Sequence, residues 1–286
     1  MKHTLSITAL LVVFFLMSQL IGILIINEYV DVEATEATGN LTFEELPYNI
    51  ERPPVEEKTS FWFIFLAVII GTLIALLIIR FRKPWLWRFW FLMAAIITLA
   101  VSFSAFIDSG MAFIIAVALG FWKVYRPNVL IHNLTELFIY AGIAAILVPI
   151  MNVFSAVMLL LLISAYDMYA VWKSKHMVRL AKFTTKTRVF AGLSIPYHPS
   201  QKAKGSTVSS KRNVAILGGG DIAFPLLFTG AVMKQIGMFP SMVVPLFTTA
   251  ALAILLIKSK KGRFYPAMPF LTLGCFIGYG AVLLVF

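Results

Sequence analysis

Of the thirteen Asp and Glu residues in this 286-residue chain, nine fall between Glu28 and Glu57, and only Asp108, Glu136, Asp167 and Asp221 follow them. Two of those four lie inside long apolar runs: Asp167 is six residues before Lys173, and Asp221 is eight residues after Asn213. If both runs are helical, a rise of about 1.5 Å per residue puts each carboxylate roughly 9–12 Å inside the same flank, on helices of opposite direction. They can then face each other. A carboxylate at membrane depth is costly unless it faces protein or water, which makes it a functional-site candidate. Two carboxyls within hydrogen-bonding reach cannot both ionise cheaply and share one proton. One can draw a proton from water while the other donates to a carbonyl oxygen, the acid/base chemistry of peptide hydrolysis. The same residues at the same depth would also suit an ion channel or a proton-coupled transporter, or a structural contact between helices. Spacing alone leaves all three open.

The elements that must position this pair are membrane helices. The chain is 60% hydrophobic and only 13% charged, with a mean hydropathy of +0.90, which excludes an ordinary soluble enzyme. Crossing the hydrocarbon layer takes about 20 apolar residues. Qualifying runs are about 5–26, 61–79, 89–107, 129–150, 153–171, 214–232, 242–257 and 268–286. A short ninth run, 111–122, follows Asp108-Ser109-Gly110, read as a tight turn, and ends at Trp122-Lys123, read as an interfacial end. The expected fold is all-α and polytopic, with nine transmembrane helices, a cytoplasmic N-terminus and an external C-terminus.

Charge supports that count. With the N-terminus inside, 21 of the 24 Lys and Arg residues lie on inner segments, ten of them between Lys173 and Arg212; only Arg52, Lys58 and Lys234 fall outside. Omitting the short span would invert every later loop. The net charge of +11 therefore reads as membrane orientation in a multi-pass cell-membrane protein, without nucleic acid as a partner. The organisation expected is one membrane-embedded domain over 1–286. It comprises six helices in 1–172 with an external acidic loop at 27–58, a cytoplasmic basic loop at 173–212, and helices seven to nine in 213–286. The first run is read as an uncleaved helix, since it is longer than a signal-peptide apolar core and no clear small-x-small site precedes Glu28. Within the basic loop, 177–190 is expected along the anionic inner leaflet and 196–210 as a mobile linker.

The flanks of the aspartates favour hydrolysis. Gly218-Gly219-Gly220 immediately before Asp221 lets a backbone approach and makes an imperfect helix. Free backbone donors there would hold an extended peptide like an added strand. Pro266-Ala267-Met268-Pro269 opens the last span with irregular backbone, and Gly274 and Gly278 form a small-xxx-small packing face. Tyr166 adjoins Asp167 and is expected in a local structural role or hydrogen bond.

Tyr166-Asp167, Gly218-Gly219-Gly220-Asp221 and Pro266-Ala267-Met268, in that order, resemble the YD, GxGD and PAL signatures of the presenilin and signal-peptide-peptidase family of intramembrane aspartyl proteases. The resemblance covers nearly the whole chain through its nine-span plan, with the diagnostic motifs in the second half. It implies Asp167 and Asp221 as the catalytic pair, with Tyr166, the three glycines, Pro266, Ala267 and Met268 shaping the site or positioning substrate. Met268 stands where the family has leucine, an unbranched residue able to fill similar space. The ten basic residues between Lys173 and Arg212 favour the presenilin orientation over the inverted signal-peptide-peptidase one. The compact chain resembles a prokaryotic or archaeal homologue. Substrates implied are transmembrane peptides or membrane proteins; accessory subunits and oligomerisation are left open.

Other chemistries fit less well. No intramembrane Gly-x-Ser-Gly paired with histidine supports a serine protease, and prepilin-type peptidases share GxGD but match the rest poorly. His132-Asn133-Leu134-Thr135-Glu136 lacks the glutamate that a zinc-binding HExxH helix needs, and the four histidines do not cluster, so no metal or cofactor is expected. Glu136 is expected to satisfy a local polar contact. Cys275, the single cysteine, is expected as a small core residue.

Overall fold

The computed structural model describes residues 5–81, 83–126, 128–174, 183, 189–197, 213–259 and 265–286. Among them are nine helices of sixteen residues or more: α1 (Leu5–Glu28), α3 (Ser60–Arg80), α4 (Pro84–Ser104), α5 (Ser109–Tyr125), α6 (Val129–Leu147), α7 (Val153–Met168), α8 (Gly219–Ile236), α10 (Val243–Lys258) and α11 (Met268–Val285). Two short helices, α2 (Val32–Thr38) and α9 (Met238–Ser241), complete the set. Among the described residues, seven segments are long and apolar enough to cross a membrane; α5 is a shorter apolar helix. Without water in the bilayer core, backbone groups must be satisfied internally, which is why these apolar runs are helical.

The boundaries follow from capping chemistry. Asp108 accepts hydrogen bonds from the Gly110 and Met111 amides at the start of α5, Asn128 from Leu130 at α6, and Asn152 from Ser155 at α7. Asp108-Ser109-Gly110 is thus a helix cap as well as a turn. Beyond α1, the acidic loop folds into the two-residue strands β1 (Val30–Asp31) and β2 (Thr42–Phe43), α2, and a 3-10 turn at Pro47–Asn49. Its Lys234 neighbour on α8 pairs with Glu57 at 2.6 Å and donates to the Pro149 and Met151 carbonyls between α6 and α7, at 3.0 Å each.

Helix α6 is the most buried span, packed on α1, α4, α5 and α8, whereas α3 is peripheral and leans on α7. Leu11, Phe15, Leu159, Leu226 and Phe228 meet in the central core. Gly274 and Gly278 do seat α11 against α10: a Cβ on Gly274 would come within 2.8 Å of the Ala251 Cβ, and one on Gly278 within 2.9 Å of the Val244 Cα. Cys275 is buried between them, beside Thr248.

The main departure from the sequence reading is a hairpin. Residues 214–218, expected as the start of the seventh helix, form β4 (Asn213–Gly218), and α8 begins only at Gly219. Its partner β3 (Gly192–Tyr197) lies in what was read as basic loop, and Pro196 and Tyr197, read as the start of a mobile linker, are on that strand. The register runs antiparallel from Gly192 opposite Gly218 to Tyr197 opposite Asn213. Val214 to Leu217 is a short apolar run that pairs with β3, and the helix starts only where Gly218 caps it and Gly219 and Gly220 form its first turn. Leu193, Ile195, Ala215 and Leu217 turn into the core while Val214 and Ile216 are exposed. Residues 177–182 and 184–188 of the expected leaflet segment, and 198–210 of the expected linker, lie outside the described residues.

Candidate active site

Asp167 occupies the last turn of α7, just before a π-helical turn at Tyr169–Lys173. It is 8% exposed, and its Oδ2 accepts the Met268 amide at 3.1 Å, with the Ala267 amide donating as well. These donors exist because α11 starts at Met268, and the first amides of a helix have no partner within it. Pro269 fits the first turn for the same reason. Pro266 and Met268 are buried, so what Met268 presents to the carboxylate is its backbone N–H. One turn away, the Ser164 and Thr272 hydroxyls meet at 2.8 Å and tie α7 to α11 again.

Asp221 stands in the first turn of α8. Its carboxylate accepts the N–H of Gly218, the residue that caps the helix, which is one half of a capping box, since a glycine cap has no side chain to return the bond. A Cβ on Gly218 would sit 3.2 Å from the Asp221 Oδ2, and one on Gly219 only 2.5 Å from the Tyr140 hydroxyl; Gly220 is exposed, with the Phe224 ring as its nearest obstacle. One turn on, Pro225 lacks the amide that would bind the Asp221 carbonyl, and Gln19 of α1 donates to the neighbouring Ile222 carbonyl at 2.9 Å. Asp167 and Asp221 are close enough for their charges to act directly on each other. Two helix N-termini, with their positive dipole ends, thus bracket two carboxyls. Tyr166 lies beside them with its ring edge-on to Phe65 at 6.4 Å.

Sequence reasoning missed what lies behind the hairpin. Lys123, read as an interfacial charge, is 2% exposed and paired with the fully buried Glu136 at 2.7 Å. Its ammonium also donates to the His132 carbonyl at 3.0 Å and the Thr135 hydroxyl at 2.8 Å. Glu136 does satisfy a local polar contact, but also a distant one: its Oε2 accepts the Tyr140 hydroxyl and, at 2.9 Å, the Gly192 amide of β3. His132 Nε2 binds the Gly192 carbonyl at 2.8 Å, while Asn133 bonds both the amide and the carbonyl of Ser194 at 2.8 Å. The signal was present in the sequence: α5 and α6 are joined by a tight connection, so a Lys in the last turn of one can reach a Glu two turns into the next.

These contacts fix which strand edge is occupied. Gly192 and Ser194 turn their backbone groups toward α6, so the ladder to β4 runs through the alternate pairs, Leu193 with Leu217 and Ile195 with Ala215. Pro196 falls on the α6-facing side and costs the ladder nothing. On β4, Val214 and Ile216 point their N–H and C=O away from β3, and no described residue bonds to them. The open edge leads through Gly218 directly to Asp221. Among the described residues, no three His, Cys, Asp or Glu side chains converge as metal ligands would. An open groove lined by Phe121, Trp122, Tyr125 and Arg126 lies at the end of α5, apart from the carboxyls.

A family model described as signal-peptide peptidase, presenilin aspartyl protease matches residues 21–286. Among solved structures, a presenilin family intramembrane aspartate protease in a C222 crystal form superposes with a TM-score of 0.65 at 18% identity, covering 98% of this chain and 99% of that one. The P2 form of a presenilin family intramembrane aspartate protease gives 0.63 at 18% identity, covering 96% and 97%. At that identity the likeness bears on the fold. Among curated proteins, none matches.

Proposed function

Because the chain belongs to the signal-peptide-peptidase and presenilin family of aspartyl proteases, and is accordingly a multi-pass intramembrane aspartyl protease acting on transmembrane substrates, we propose that Asp167 and Asp221 are its catalytic dyad. The observation that carries this reading is their juxtaposition at two helix N-termini beside an open strand edge. One carboxyl takes a proton from a water molecule while the other gives one to the scissile carbonyl; the gem-diol then collapses as its C–N bond breaks, the first carboxyl passing its proton to the departing amine nitrogen and the second recovering one from a diol hydroxyl. No covalent enzyme intermediate forms. The Ala267 and Met268 amides orient Asp167, and the Gly218 amide orients Asp221. Pro266 and Met268 hold the start of α11, Gly219 lets the Tyr140 hydroxyl approach, the exposed Gly220 lets backbone pass close to the dyad, and Tyr166 packs beside it. The substrate's extended segment adds to β4 through Val214 and Ile216, which delivers its next carbonyl toward Asp221.

The topology proposed with this site has nine crossings, a cytoplasmic N-terminus and an external C-terminus, in one domain embedded in the cell membrane. At about 1.5 Å per residue, the seventeen residues of α5 and eighteen of α8 reach roughly 25–27 Å, enough with local thinning. Lys234 and Glu57, both assigned to the outside, bond to each other. Trp87 in the first turn of α4 and Val189, both assigned to the inside, meet at 3.0 Å. With Lys123 buried against Glu136, twenty of the remaining lysines and arginines still fall inside.

The test uses the purified protein in lipid with a helical transmembrane peptide, products mapped by mass spectrometry. Defined cleavage abolished in both Asp167→Asn and Asp221→Asn, each with an unchanged melting profile, is the expected result. Cleavage surviving in either folded variant would overturn the dyad. Dyad-dependent cation flux without cleavage would give the carboxyls to transport instead.

A further inference from the structure

The ion pair of Lys123 with Glu136 is an expensive object at this depth. A buried pair is often no more stable than two well-packed apolar side chains, so folding stability alone gives no reason for it. Its geometry does. Lys123 lies 2.7 Å from Glu136 as an ion pair and is itself anchored by donating to the His132 carbonyl and the Thr135 hydroxyl. Glu136 is thereby held as a charged acceptor aimed at one strand amide, that of Gly192. With His132 on the Gly192 carbonyl and Asn133 on both backbone groups of Ser194, little more than one turn of α6 presents to β3 the hydrogen bonds that a neighbouring strand would present.

We propose that Lys123, His132, Asn133 and Glu136 form a side-chain strand mimic that positions the hairpin and so sets the register at which substrate meets the dyad. This rests on the catalytic reading above. Sealing the β3 edge leaves β4 as the edge for substrate. Fixing Gly192 and Ser194 fixes the slide of β4 along β3, because Gly192 stands opposite Gly218 and Ser194 opposite Ile216. Gly218 binds Asp221, and Tyr140, held by Glu136, backs Gly219. These are positioning residues; none touches the reacting atoms.

Two uncharged double variants separate positioning from folding support, since neither leaves a lone buried charge. Lys123→Met with Glu136→Gln keeps an oxygen that accepts the Gly192 amide; Lys123→Met with Glu136→Leu does not. Full-length protein in lipid nanodiscs is assayed for amide exchange over 192–197 and 213–218, for kcat and KM, and for the masses of the cleavage products. The Leu variant should exchange about ten- to hundredfold faster over the hairpin, the scale of losing a hydrogen bond to a charged group. It should also lose kcat more than KM and spread its products over neighbouring peptide bonds. The Gln variant should restore all three. Equal exchange and identical product masses in the two variants would overturn the proposal. Should the Leu variant fail to fold, Asn133→Ala, which frees Ser194 alone, must speed exchange at 194–197 and displace the cleavage site; an unchanged product series refutes register control. Amide exchange reads the anchoring without turnover, whereas cleavage surviving Asp→Asn substitution would refute the dyad, so the two failures are distinct.

Discussion

Replacing Gly192 with alanine tests whether the hairpin belongs to the catalytic machinery. Gly192 has φ of +141°, and a Cβ placed there would lie 2.2 Å from the Leu217 carbonyl oxygen and 3.2 Å from the Gly219 nitrogen. The backbone conformation alone costs a non-glycine residue about 1–3 kcal/mol. The contact is more than 1 Å inside an ordinary van der Waals separation of about 3.5 Å, and its partner is backbone held in the ladder, which no side-chain rotation relieves. The strands must part at the end nearest Asp221, forfeiting the Gly219 to Ala191 bond and its neighbour at about 0.5–1.5 kcal/mol each. A local cost of about 2–6 kcal/mol exceeds what a two-stranded element can absorb, yet it leaves the helical core untouched. The Gly192→Ala protein should melt near the wild type while kcat/KM falls by about 100-fold or more, the rate equivalent of about 3 kcal/mol. Gly39 supplies the control. It also has positive φ, +70°, but open space around its Cβ position, so Gly39→Ala pays about 1 kcal/mol of strain and should cleave normally. If Gly192→Ala stays within about threefold of Gly39→Ala in kcat/KM, the hairpin takes no part in catalysis and the reasoning fails.

Two further substitutions on α11 should move stability in opposite directions. Gly274→Ala drives a methyl into the Ala251 Cβ and Thr248 Cα, and should lower the melting temperature by pushing α11 from α10. Gly280→Ala meets nothing within 4 Å and should raise it, by up to about 1 kcal/mol of helix propensity; melting curves in one detergent decide both. Outside the spans, the Tyr29 hydroxyl donates to the Val101 carbonyl at 2.6 Å, and burial, chiefly, raises its pKa from 10.0 to about 12. A raised folded-state value means stability that is complete below pH 10 and lost as pH rises toward about 12. Alkaline melting of Tyr29→Phe should lack that component while losing about 1 kcal/mol at neutral pH for the missing hydrogen bond.

The parts of this architecture that read directly from sequence are those governed by hydropathy and depth. Apolar length located the helices, and flank counting put Asp167 and Asp221 on elements that do bring them together. Pro266 to Pro269 correctly marked a helix start, and the spacing of Gly274 and Gly278 marked the close α10–α11 contact. What escaped was tertiary. Val214 to Leu217 is too short and too uniformly apolar for periodicity to distinguish strand from helix, and its partner 193–197 follows a basic stretch that looks like loop. The α6 side chains bond the far edge of β3, and their role was invisible because Lys123 was assigned to the interface, where an exposed lysine would belong. A lysine that turns inward demands an acid, and Glu136 was the one intramembrane acid left to supply it.

The same chemistry explains why the open edge can exist beside lipid. Unpaired backbone groups are excluded from hydrocarbon, yet among the described residues nothing bonds to the outward N–H and C=O of Val214 and Ile216, whose side chains are exposed. A transmembrane helix that unwinds there frees amides and carbonyls of its own at the same depth. Each deficit is costly alone, and joining them as strand on strand removes both. On the proposed reading, substrate unwinding is therefore coupled to binding next to the carboxyl pair that would use the extended peptide. The α6 mimic makes this coupling selective: with the β3 edge closed by His132, Asn133 and Glu136, an incoming strand pairs with β4, whose chain continues through Gly218 into the turn that carries Asp221.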